Sequence, residues 1–257
     1  MRDPHVVSLR YRVESAATVT FNNPPALEHE SNKFRMRLES GTAIFELKEH
    51  LPSIEVARGI VDAFVRAWEL DVALNSGRRE ITFVYENAEV IDRNPPPPGE
   101  PRVIQVSGIA SGTSFGIATL SVAQREYPPP PRYFTLNPDV ETLWHRFEGY
   151  TQGREPLLAM AYFCLTLLEA QAGSRKKTEK AYRIHYAVLS KLGELTTNKG
   201  DKETARKTKD AKTFVPLTKI EIRWIEAALK AIIRRVGEID TTPSASIITM
   251  DDLPKLQ

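Results

Sequence analysis

A chain of 257 residues is long enough for one large domain or two modest ones, each with its own core. Hydrophobic residues make up 41% and charged residues 26%, a balance that excludes a wholly disordered chain. A formal charge of +2 excludes strong global attraction to a polyion, and the single cysteine, Cys164, excludes an internal disulfide and a cysteine-based zinc site.

The opening MRDPHVVSLRYRVE lacks an apolar stretch of signal-peptide length, which leads us to expect a reducing, cytoplasmic setting. The longest apolar run, Leu157 to Leu168, falls short of the roughly 20 residues that cross a bilayer, so no membrane contact is expected.

In chain order, HVVSLRYRVE, KFRMRLES and TAIFELKE alternate apolar and polar residues at period two, as half-buried antiparallel strands do. Ser40-Gly41 predicts a hairpin between the last two. The polar cluster Glu28-His29-Glu30 follows Asn-Asn-Pro-Pro and is expected in an exposed loop. Ala57, Val61, Phe64, Val65, Trp68 and Val72 then recur on one helical face, with Ser53 placed to cap the start and Gly77 the end. ITFVYENAEVID returns to strand character.

Two tetraproline runs, at 94–101 and 127–134, each end the strand before them. They read as stiff spacers rather than docking ligands for a polyproline-binding partner. VIQVSG and SFGIATLSVAQ, between the runs, are expected to form a last pair of strands.

From Asn137 the pattern is helical. Asn137-Pro138-Asp139 supplies a cap, a first-turn proline and an acid, and that helix extends to about Gly149. A second helix is expected from about Glu155 to Ala170. A third, continuous from about Lys176 to Leu195, would bury Ala181, Ile184, Val188, Leu192 and Leu195. The fourth starts at a capping box, Thr218 with Glu221. Its face is Ile222, Ile225, Leu229, Ile232 and Val236. The apolar tail SASIITMDDLPKL is expected to dock on the body.

The expected fold is therefore α+β. Residues 1–134 form a mixed or antiparallel sheet with one packed helix, and residues 135–257 form an all-α helical bundle with a docked tail.

Charge is distributed unevenly along the chain. Residues 174–212 hold 12 Lys/Arg against 5 Asp/Glu, so this stretch carries +7 and the remainder −5. The candidate contact residues are Lys177, Lys180, Arg183, Lys191, Lys199, Lys202, Arg206, Lys207, Lys209 and Lys212. Such side chains release counterions when they meet phosphates, and Tyr182 or Tyr186 could stack on exposed bases. AYRIHYAVLSKLG has traits of a helix–turn–helix, yet no breaker divides it, and one long helix accounts for the same apolar spacing.

Catalytic signatures are incomplete. Gly112-Thr113-Ser114-Phe115-Gly116 is a G-x-S-x-G pattern in which Ser114 would be the nucleophile, with His145 or His185 as base. The sequence after it reads as strand, whereas the elbow of such hydrolases leads into a helix. No H-E-x-x-H and no phosphate-binding glycine loop is present, and neither metal nor cofactor is expected. The helical module resembles in architecture the HEPN ribonucleases, whose motif needs an arginine four to six residues before a histidine. Arg183 stands two before His185 and Arg175 ten before it, so the spacing departs from that pattern.

These features lead us to expect a non-enzymatic binding protein, of the kind that serves as a subunit of a larger assembly. It would contact nucleic-acid phosphates or an acidic protein partner through residues 174–212. The alternative is a hydrolase using Ser114, or a histidine-dependent nuclease.

Overall fold

Period-two alternation becomes an antiparallel sheet wherever one face can be covered. In the computed structural model, which describes residues 3–94, 122–124, 126–200, 215–241 and 246–256, that cover is a single long helix. The strands are β1 (Pro4–Ser15), β2 (Val19–Phe21), β3 (Leu27–Glu30), β4 (Phe34–Glu39), β5 (Thr42–Leu47) and β6 (Ile81–Asp92), with β7 at Val122–Gln124. Five of them form an antiparallel sheet in the order β3-β4-β5-β1-β6, while β2 and β7 pair in parallel.

Leu9, Tyr11, Met36, Leu38, Ala43 and Phe45 are buried in the core together with Ala57, Val61, Val65 and Trp68 of α1 (Ile54–Ser76). The Ser53 side chain accepts from the Val56 N–H at the start of α1, and Gly77 ends it in the left-handed region at φ 82°. Ser40 and Gly41 both have positive φ, 50° and 76°, as a tight two-residue hairpin turn requires.

One expectation changes here. Glu28-His29-Glu30 is not a loop but most of edge strand β3. Its alternation is visible once paired with β4, and the His29 ring stacks on Phe64 with centroids 5.0 Å apart. The second tetraproline run is also anchored at its start. Tyr127 is buried in the sheet–helix core, its hydroxyl accepts the Gly41 N–H at 2.8 Å, and the Pro128 carbonyl accepts the Trp68 indole N–H at 3.0 Å. The segments VIQVSG and SFGIATLS, and most of the first proline run, lie outside the described residues.

By internal contacts the chain divides into Met1–Arg132 and Tyr133–Gln257. The second unit contains α2 (Pro138–Thr151), α3 (Leu157–Ala172), α4 (Arg175–Tyr182), α5 (Tyr186–Asn198) and α6 (Lys219–Glu238). The Asn137 cap and the Thr218–Glu221 capping box are both in place. Leu158, Ala161, Cys164, Leu165 and Leu168 of α3 are buried, as are Trp224, Ile225, Leu229 and Ile232 of α6. Burial pushes the Cys164 thiol up to about 12, so it is an inert packing group.

Among the described residues, no single helix is long and apolar enough to cross a membrane. The pair α3 and α4 reaches the required length only together, and it bends by 86°.

The end of α6 sits very close to the segment before α2. Thr135 donates its N–H to the Gly237 carbonyl at 2.9 Å, and a Cβ built on Gly237 would lie 2.3 Å from the Phe134 ring and 3.0 Å from the Thr135 carbonyl. Gly237→Ala is therefore expected to destabilise the second unit by roughly 1–3 kcal/mol through overpacking, measured by urea denaturation. Unchanged stability would show that Phe134 can swing away freely.

Candidate binding surface

The expected third helix is two helices. Residues Arg175–Tyr182 and Tyr186–Asn198 are separated by a three-residue turn in which Arg183 takes φ 51° and ψ 48°. Left-handed backbone is uncommon for a side chain without special features, so neighbouring groups must hold it. They can be named. Ile248 donates its N–H to the Arg183 carbonyl at 2.9 Å, and His185 donates to the Ile248 carbonyl at 2.8 Å. The tail thus pairs with the turn, as Ile184 and Ile248 form a parallel bridge.

Arg235 of α6, only 6% exposed, completes the arrangement. Its Nη1 donates to the carbonyls of Arg183 at 3.1 Å, Ser246 at 2.7 Å and Tyr182 at 3.4 Å. Ile184 is buried in the turn, which is why the apolar spacing ran smoothly through a region that is not helical. Ala181, expected in the core, is exposed for the same reason.

Both helices of the pair are capped by side chains. Ser174 accepts the Lys177 N–H, His185 Nδ1 accepts the Ala187 N–H at 3.2 Å, and the Glu179 carboxylate of α4 accepts the Tyr186 N–H at 3.0 Å. Glu179 thereby links the end of α4 to the start of α5. Thr178 is fully buried, its hydroxyl donating to the Leu168 carbonyl at 3.3 Å and anchoring α4 to α3. At the other end of α4, the Arg175 guanidinium lies against Gly193, where a Cβ would meet it at 2.9 Å, and pairs with Glu169 at 2.5 Å.

Among the described residues, part of the basic island is answered by carboxylates. Lys191 pairs with Glu194 at 2.8 Å and Lys199 with Glu221 at 3.0 Å. Lys202, Arg206, Lys207, Lys209 and Lys212 lie outside the described residues, whose flanks are joined by an antiparallel bridge between Gly200 and Val215. Lys177 and Lys180 are exposed, as is Lys176, which lies outside the set expected from the sequence. These three, with Glu179 and the 41%-exposed Tyr186, line one cleft of about 240 Å³ between α4 and the start of α5. Tyr182 is less available, since it is half-buried and its hydroxyl donates to Gln171.

The catalytic candidates are not assembled into a site within the described residues. Ser114 lies outside them, His145 is exposed on α2, and His185 serves as the α5 cap. Among the described residues, no group of three or more His, Cys, Asp or Glu side chains is disposed to hold a metal ion. Comparison of the chain with family models, with curated proteins and with solved structures finds no match.

Replacing Arg235 by Met removes the shared donor while preserving much of the volume. The expected cost is about 1.5–3 kcal/mol, the range for hydrogen bonds involving a charged group. Amide exchange at His185 and Ile248 should accelerate while that at Leu9 and Phe45 in the first unit does not. Equal exchange in variant and parent would remove Arg235 as the organiser of the turn.

Proposed function

We propose that this protein binds nucleic acid without catalysing a reaction on it, and that the α4–α5 cleft grips the phosphate backbone. The observation that carries this reading is the placement of Lys176, Lys177 and Lys180 around Tyr186 in one concave surface. Three ammonium groups there have no carboxylate partner among the described ion pairs. The one acid in the cleft, Glu179, is committed to the Tyr186 N–H.

A lysine cluster of this kind makes flexible point-charge contacts with phosphate and needs no planar, bidentate geometry. Tyr186 offers a flat face for a sugar or base beside them. The basic residues of 199–212 add to the same charge in sequence, and the protein acts as the binding subunit of an assembly that brings other activities. The setting proposed for it is a reducing, cytoplasmic one, consistent with a single buried thiol.

Binding to mixed-sequence duplexes should weaken steeply with salt. The triple variant Lys176→Glu, Lys177→Glu, Lys180→Glu should lower the slope of log K against log salt by about 2–3 and abolish binding near physiological ionic strength. Fluorescence anisotropy across a salt series reads both quantities. Undiminished binding in the triple variant would defeat the proposal. Retention of an acidic polypeptide with no affinity for any nucleic acid would reassign the cleft to a protein partner.

A further inference from the structure

We propose that the nucleic acid is duplex DNA and that α5 reads its base edges in the major groove, with Lys191 and Glu194 as specificity-determining residues. This rests on the nucleic-acid reading above and assigns a second role to the neighbouring surface.

The outer side of α5 begins at exposed Tyr186 and continues through half-exposed Ala187, Ser190 and Lys191 to exposed Glu194, one stripe at helical spacing. Its buried side, Val188, Leu189, Leu192 and Leu195, packs into the unit, which leaves the opposite stripe facing outward, with Tyr186 and Glu194 its most accessible members. At 13 residues the helix spans about 20 Å, and its diameter matches the major groove of B-form DNA. The deep, narrow major groove of A-form RNA does not admit such a helix. Single-stranded binders use a series of aromatic platforms. On α4 and α5, Tyr186 alone among the aromatic residues is exposed, which disfavours a single strand.

The side chains on the stripe suit base edges. A lysine ammonium donates to guanine O6 and N7, a glutamate accepts from the cytosine amine, serine serves either role, and alanine packs on a thymine methyl. Lys191 and Glu194 now bond each other at 2.8 Å in a partly exposed pair three residues apart. Parting such a pair costs little, so both groups can turn toward bases. Two fixtures set the register between grip and reader. Glu179 ties the lysine-bearing helix to the first residue of α5, and Arg175 rests on Gly193 one helical face away.

Selection from a pool of random duplexes tests the inference, using the intact chain and the single variants Lys191→Ala and Glu194→Gln. The parent should enrich a defined motif. Each variant should relax the preference at one base position by about tenfold. Glu194→Gln should do so without changing the salt slope, because no phosphate contact is lost. No enrichment, or a preference for single strands, overturns duplex readout if binding still depends on Lys176, Lys177 and Lys180; the phosphate-grip proposal then stands. Absence of binding to every nucleic acid overturns both.

Discussion

The Arg235 guanidinium lies almost out of water and is solvated instead by the carbonyls of Tyr182, Arg183 and Ser246. A helix end leaves its last carbonyls without intrahelical donors, and burial of such groups is costly unless a partner arrives. At the end of α4 the partner comes from α6, 52 or 53 residues away. The exchange is mutual. Burial, with a smaller push from the like charge of Arg183, pulls Arg235 below the ordinary arginine range, while the nearby Glu238 carboxylate opposes that pull. Removal of either side would strand the other. Turn, tail and α6 therefore hold their positions together.

This dependence shapes the surface. Had the chain remained helical from Lys176 to Leu195, Lys177, Lys180 and Lys191 would have belonged to one outward row. The turn at Arg183 ends the lysine-rich helix and begins a second one whose outer stripe is Tyr186, Ala187, Ser190, Lys191 and Glu194. Charge thus concentrates on α4, while α5 presents a nearly neutral set of hydrogen-bonding groups. Were duplex DNA the ligand, as proposed above, the first surface would serve phosphate contact and the second base discrimination, a division that protein–DNA interfaces use generally.

What could be read from the sequence was what neighbours in sequence decide. Ser40-Gly41, the Ser53 and Gly77 caps, Asn137-Pro138 and the Thr218–Glu221 box all act within a few residues, and each stands where its chemistry places it. The α+β class followed from the change of hydrophobic period. Features made by distant partners were not legible. Arg183 carries no local mark of left-handed backbone, and Ile184 kept the apolar spacing intact because it is buried in the turn as it would have been in a helix. β3 reads as a polar loop until β4 lies beside it. Tyr127 gives no sign, beside four prolines, that its ring enters a core and its hydroxyl reaches Gly41.

Outside residues 174–212 the chain carries a charge of −5, and in the first unit many cations are already answered on the sheet surface. Glu28 meets Arg35 and Arg37, Glu30 meets Lys48, and Arg12 meets Glu14. Such pairs contribute little stability, but they cancel the field that would draw a polyanion to that unit. Screening confines the field of any unpaired charge to about a Debye length, roughly 8 Å at physiological ionic strength. For the duplex reading proposed above, the Lys176, Lys177 and Lys180 cluster would draw the polyanion to the α4–α5 side. Orientation is the prerequisite for reading bases, because a helix that meets the duplex at random angles gains nothing from a well-composed outer stripe. The formal charge of +2 is thus the sum of +7 in one stretch and −5 in the rest, so a near-neutral total coexists with the local charge on which the proposed binding would rest.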